Sequence, residues 1–95
     1  MVFDFSKISG IGEYTIKSEK TRELYMKGDK VFLVVNNNTI EMRSDAKLGR
    51  LLMDKYESVM ESRYFGKGGI EVVLAGQLAD DEIEDLVRLS YNLTQ

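Results

Sequence analysis

The chain has 95 residues, enough for one domain around a single modest core. Thirteen Lys and Arg against sixteen Asp and Glu give a net charge of −3 and a pI near 4.9, a balance that argues against sequence-independent binding along a phosphate backbone. Cysteine and histidine are both absent, which excludes disulfides, thiolate chemistry, Cys/His zinc sites and His-based acid–base or nucleophile pairs.

The first segment, 1–12, reads as a lead-in that closes at Gly10-Ile11-Gly12, with Phe3, Phe5 and Ile8 as candidate anchors on the core. It carries no basic stretch followed by a long apolar one, so no signal peptide is readable and the expected location is cytoplasmic. Alternation from Glu13 to Lys17 predicts a half-buried strand with Tyr14 and Ile16 inward. A second strand, Arg22 to Lys27, is read with Leu24 and Met26 inward and Tyr25 outward. Gly28-Asp29 then suits a two-residue hairpin turn, because glycine supplies the positive φ that a type II′ turn needs first. Val31 to Val35 is an unbroken apolar and β-branched run, too short for a helix and suited to a central strand. Alternation does not settle whether Phe32 and Val34, or Val31, Leu33 and Val35, face outward. Asn36-Asn37-Asn38 makes the next turn, and Thr39 to Arg43 alternates again with Ile40 and Met42 inward.

Ser44 reads as an N-cap, and Leu48, Leu51, Leu52, Tyr56, Val59 and Met60 recur at helical spacing, predicting a helix over roughly 45–61. Glycines at 66, 68 and 69 interrupt, Ile70, Val72 and Leu74 mark a fifth strand, and Gly76 closes it. The acidic run Asp80-Asp81-Glu82 opens the last helix, with Ile83, Leu86, Val87, Ser90 and Tyr91 on its inner face. Leu89 and Leu93 widen that stripe beyond what a small sheet requires. The reading is one α+β domain over 1–95, a two-layer α/β sandwich. Its antiparallel sheet of about five strands follows the order ββββ-α-β-α, with two helices on one face.

From about Leu24 onward the chain resembles the MmcQ/YjbR-like proteins, which share a double-wing, CyaY-like fold. Gly28, Lys30 and Phe32 match a Gly-x-Lys-x-Phe hairpin. Ile40 to Asp45 matches a strand with a basic end that runs into a helix, and Tyr56 with Val59 matches a Tyr-x-x-Val. Gly76, Asp80 to Ile83 and Ser90-Tyr91-Asn92-Leu93 match the family's close. The chain departs from the family in lacking its usual N-terminal helix, and Tyr64 to Gly69 stands where members tend to carry His and Trp. The resemblance implies the fold, and members are often labelled DNA-binding.

Three parts of the sequence carry residues suited to a site. Asp80, Asp81, Glu82, Glu84 and Asp85 have the chemistry to bind a cation, but carboxylates in a first turn complement the helix dipole, and Asp81 with Glu84 has capping-box spacing. Gly66-Lys67-Gly68-Gly69 lacks the spacing and following helix of a phosphate loop and reads as a flexible connection. Beside it, Arg63, Tyr64, Phe65 and Lys67 place two cations and two aromatics within five residues, a set able to grip a phosphate or stack a base. The outer sheet face is the third, and the apolar central strand makes part of it apolar. Self-coverage by Phe3 and Phe5 or a dimer interface is favoured there over a nucleic-acid platform, for which no RNP-like sequence is present.

The leading expectation is a non-catalytic binding or protein-interaction domain, with a homodimer or another protein as partner, no membrane and no cofactor. The alternative is specific DNA or RNA binding, which the acidic pI disfavours. Candidate contacts are Lys17, Tyr25, Lys30, Arg43, Arg63, Tyr64, Phe65 and Lys67, with Lys20, Arg22 and Lys27 added in the nucleic-acid reading. A carboxylate enzyme built on Glu41 and Glu71 is the remaining class, supported only by their shared outward parity.

Overall fold

In the computed structural model, residues 8–95 are described, and the expected anchors Phe3 and Phe5 lie outside them. The elements are β1 (Thr15–Ser18), β2 (Glu23–Lys27), β3 (Lys30–Val35), β4 (Thr39–Arg43), α1 (Ala46–Lys55), β5 (Val59–Ser62), β6 (Gly66–Val73) and α2 (Asp80–Leu93). The sheet has six strands in the order β1-β2-β3-β4-β6-β5, every neighbouring pair antiparallel. Helix α2 packs on β3 and β4, and α1 on β5 and β6. Both contribute to the core that holds Ile40, Met42, Ile70 and Val72, so they share one face. The two-layer α+β architecture expected from the sequence is therefore present, with one strand more than expected.

That extra strand comes from the second half of the predicted 45–61 helix. Helix α1 stops at Lys55, Tyr56 turns extended (φ −126°, ψ 125°), and Val59 to Ser62 pairs with β6 as the sheet's far edge. Tyr56, Val59 and Met60 are spaced as a helix would space them, yet Val59 is buried opposite Val72 as a strand residue. The caps also sit elsewhere than the sequence suggested. Asp45, not Ser44, caps α1, accepting from Lys47 N at 3.1 Å, while Ser44 N donates to Gly68 O at 2.9 Å. At α2 the first-turn carboxylate that reaches back is Glu82, to Ala79 N at 3.1 Å, rather than Glu84 to Asp81.

The β2–β3 hairpin turns at Gly28 and Asp29 as expected, with Gly28 at φ +65° and no non-glycine residue at positive φ among those described, the pattern a type II′ turn requires. Two residues further a β-bulge decides the parity of the central strand. Tyr25 pairs with Leu33, but Met26 pairs with Val31, leaving Phe32 as the extra residue. Phe32 and Leu33 consequently both enter the helix-side core, while Val31 and Val34 form a second cluster with Leu24, Met26 and Phe65 on the other face. This corrects the sequence reading of β2: Tyr25 faces the helices, and Leu24 and Met26 face away from them. Because Leu24, Tyr25 and Met26 are all apolar enough to bury, alternation carried no information about which way the strand lies.

On the helix side, an aromatic group fills the space beneath the lead-in and α2. Tyr14 stacks on Tyr25 (5.6 Å between centroids), and Phe32 meets Tyr91 edge-on at 5.0 Å. Phe32, Leu33, Ile40, Met42 and Ile70 are essentially inaccessible, and burying a side chain of this size stabilises the fold by about 1.5–3 kcal/mol. The bulge opens the β3–β4 ladder beyond the Leu33–Met42 pair, and Ser90 of α2 closes the gap. Its hydroxyl accepts from Arg43 N at 2.8 Å and donates to Phe32 O at 2.5 Å, so both strands are joined through the helix. Lys27, at the end of β2, donates to Tyr91 O at 3.1 Å and places a cation at the α2 C-terminus, whose last turn contains no basic residue.

Candidate binding site on the outer sheet face

The face away from the helices carries a row of Cα partners, Lys17–Leu24–Val34–Glu41–Glu71–Met60. Two carboxylates thus stand opposite each other on β4 and β6, an arrangement that is repulsive by itself. Both are nevertheless buried, Glu41 at 2% and Glu71 at 3% exposure. The cover is the turn 63–65 between β5 and β6, which folds back over the sheet instead of projecting from its edge.

Each carboxylate receives three hydrogen bonds. Glu41 Oε1 accepts from Ser62 Oγ (2.8 Å) and Tyr64 N (2.8 Å), and its Oε2 accepts from Asn36 Nδ2 (2.9 Å). Glu71 holds Arg63 in a two-pronged contact, Nε at 3.0 Å and Nη2 at 2.8 Å, and accepts from Thr39 Oγ1 at 2.8 Å. Asn36 also donates to Thr39 Oγ1 (3.0 Å), linking the two sets into one network. Burial pushes the Glu41 carboxyl up, but the bonds from Asn36, Tyr64 N and Ser62, with the charge of Arg63, outweigh it and hold the group below the usual carboxylate range. Among the described residues no buried side-chain polar atom lacks a partner.

Glycine makes the fold-back sterically feasible. Gly66 takes φ +62° at the turn's exit. A Cβ on Gly69 would lie 2.5 Å from Met42 O and 2.6 Å from Phe65 Cβ, so only glycine lets Phe65 settle against β6. Gly66 to Gly69 are strand residues, which corrects the expectation of a flexible connection there.

Four of the eight candidate contacts meet around this turn. Arg63, Tyr64 and Phe65 form it, Tyr64 and Phe65 touching edge to face at 4.9 Å. Arg43 lies over the Phe65 ring at 5.1 Å and donates from Nε to Val31 O at 2.9 Å. Lys17 is on the same face but exposed at the β1 edge, and Lys30 is exposed at the start of β3. Lys67 lines a separate cavity of about 180 Å³ beside the start of α1, with Asp45, Arg50 and Glu61. Tyr25 is buried on the helix face and is not part of the site.

Beside the turn runs an open groove of about 540 Å³, lined by Thr21, Arg22, Asn36, Asn37, Glu41, Arg63 and Tyr64. Arg22 lies over the Tyr64 ring at 5.2 Å and pairs with Glu19 at 2.6 Å. Both guanidiniums thus use part of their donor set internally and keep their remaining Nη hydrogens at the surface, where Arg63 is 75% exposed. The groove offers an aromatic ring, a hydroxyl and two amides beside them. Sequence reasoning found the turn and the shared parity of the two glutamates. It missed Asn36, Thr39 and Ser62 as parts of one network, because Ser62–Glu41 and Thr39–Glu71 join residues 21 and 32 positions apart along the chain through a fold-back that no local pattern announces.

Among the described residues no group of three or more acidic or other ligating side chains is placed to hold a metal ion, and no helix is long and apolar enough to cross a membrane. No family model matches the chain, and neither does any curated protein or solved structure.

Proposed function

We propose that this domain is a non-catalytic binding module that acts in the cytoplasm and takes a protein segment in the groove between Arg22, Tyr64 and Arg63. The observation that carries the reading is the contrast between the two layers of the site. Glu41 and Glu71 spend their acceptor capacity on six internal hydrogen bonds, so neither is poised as a free general base. They hold Arg63 and the backbone of Tyr64 in place, and Arg22, paired with Glu19, lies over the Tyr64 ring, the kind of rigid aromatic and arginine anchor that dominates protein recognition. The resemblance to MmcQ/YjbR proteins belongs to the same proposal and rests on the ordered motifs.

Nucleic acid is the weaker occupant. One face of Tyr64 is already taken by Arg22, and Glu19, Glu41 and Glu71 surround the two guanidiniums. The test is to pan random peptides against the wild-type domain, subtract with the Arg22→Ala/Tyr64→Ala variant, and map the retained peptides by amide shifts. Enriched peptides that move the signals of Arg22, Asn37, Arg63 and Tyr64 support the reading. It is wrong if no peptide distinguishes the two proteins, or if single-stranded DNA or RNA hexamers shift those signals in a salt-dependent manner and peptides do not.

A further inference from the structure

The helix layer carries exposed leucines that neither the core nor the outer-face groove accounts for. Leu51 is 59% exposed, Leu89 47% and Leu93 50%. Their positions follow from helix geometry and from contacts at each end. Glu82, Leu86, Leu89 and Leu93 run down one flank of α2 at helical spacing, and the first of them accepts from Tyr56 Oη at 3.4 Å, so this flank looks toward α1. The opposite flank is turned to the lead-in, where Arg88 donates to Ser9 O at 3.1 Å. On α1, Arg50 and Met53 border the Lys67 cavity on the β5–β6 side, which leaves Leu48, Leu51 and Leu52 on the flank toward α2. The helices run antiparallel, since the end of α1 meets the start of α2 at Tyr56–Glu82, while Ser90, late in α2, bonds Arg43 just before α1. The result is a cleft between two helices whose rim is leucine.

Charge identifies what fills it. Helix α1 contains Lys47, Arg50 and Lys55 against one carboxylate, Asp54. Helix α2 contains five carboxylates against one cation, Arg88. Among the described residues, Asp80, Asp81 and Glu84, like Lys47 and Arg50, make no ion pair or side-chain hydrogen bond. A surface that carries a basic helix and an acidic helix side by side is complementary to itself. A twofold axis running between the helices and along them places α1 of one copy antiparallel over α2 of the other, and does the same a second time by symmetry. That superposition sets Lys55 toward the acidic first turn of α2 and buries the leucine rims against each other. The competing face-to-face arrangement, α2 on α2, opposes five carboxylates with five.

We propose that the domain forms a twofold homodimer through its helix layer, α1 of each copy packing on α2 of the other. The outer sheet faces then point away from the interface on both sides, so the groove at Tyr64 stays free, and the dimer stands or falls independently of the binding reading.

The experiment is light scattering and sedimentation of the full chain from about 10 μM to about 1 mM, a range that detects dissociation constants below the millimolar level. A concentration-dependent dimer is expected. Leu89→Glu/Leu93→Glu abolishes it, and so does Leu51→Lys, a second variant at a position exposed enough to leave folding intact. Lys55→Asp and Asp81→Lys each weaken association about three- to tenfold, and the two together in one chain recover it, because the twofold swaps both partners at once. A monomer at about 1 mM overturns the proposal. A dimer indifferent to Leu51→Lys does so too, as does a double charge reversal that is weaker than either single one.

Discussion

Replacing Glu41 by Gln keeps the shape of the side chain and removes only its charge and one acceptor. The amide oxygen can keep the Oε1 position and continue to accept from Ser62 Oγ and Tyr64 N. The amide nitrogen then faces Asn36 Nδ2 where Oε2 stood, donor against donor. Turning Asn36 over does not help, because its nitrogen also serves Thr39, whose own proton goes to Glu71. One bond is lost in every arrangement, at a cost of about 1–3 kcal/mol, and two charge-assisted bonds become neutral ones, each weaker by about 1 kcal/mol. Relief of the repulsion from Glu71 and of the desolvation of a charge returns part of this. The net loss expected at neutral pH is about 2 kcal/mol, read as a lower midpoint in urea with unchanged slope. The pH dependence follows from the direction of the Glu41 shift. Its folded value lies below the ordinary 4.5 of a glutamate, so the carboxylate's contribution is complete above that value and fades as pH falls through the folded one. The gap between wild type and Glu41→Gln is therefore widest near neutrality and closes in acid. A variant as stable as wild type at neutral pH, or a gap as wide in acid as at neutrality, would refute the account of a carboxylate that fastens the turn.

Two further substitutions test the local architecture. Ser90→Ala strips the bridge from two buried backbone groups, Arg43 N and Phe32 O, and is expected to destabilise by about 2–4 kcal/mol even after the better helix propensity of alanine; a loss under about 0.5 kcal/mol means that the groups find other partners. Gly69→Ala forces a Cβ into Met42 O and Phe65 and is expected to cost about 1–3 kcal/mol and to move the Tyr64 amide signal. Gly68→Ala, whose Cβ would stand 3.6 Å from Phe65 O, leaves that signal in place, and equal effects from the two glycines would remove steric fit as the cause.

What was legible in the sequence was whatever local pattern determines. The Gly28-Asp29 turn, the alternation of Ile40 and Met42, and the inner stripe of α2 from Ile83 to Tyr91 all appear where periodicity places them. Two features were not legible. Val59 and Met60 satisfy a helical spacing after Tyr56, and only pairing with β6, a contact made by residues up to 13 positions away, turns them into a strand. The strand Glu23–Lys27 is apolar on both sides, so its facing depends on a bulge in its neighbour at Phe32. The one-residue shift there reassigned Tyr25, Leu24 and Met26 together, which is why one candidate contact fell on the wrong face while Arg43, Tyr64 and Phe65 did not.

The buried glutamates raise the question of why a sheet face should hold charge at all. An apolar pair at Glu41 and Glu71 would cover the same area without desolvating two carboxylates, and such replacements commonly leave stability equal or better. An apolar pair is also indifferent to where its cover sits. Phe65 could slide over Leu24, Val31 and Val34 in several positions with similar burial, since hydrophobic contact has no direction. The carboxylates do have direction: Glu41 accepts from the backbone of Tyr64 itself, and Glu71 fits the planar fork of Arg63. Arg63 and Tyr64 are thereby tied to the sheet beneath, and Phe65 N donates to Ser62 Oγ, which itself donates to Glu41. The charge buried under the turn sets its position more than it adds to stability, and a fixed position is what a binding surface made of one ring and two guanidiniums requires.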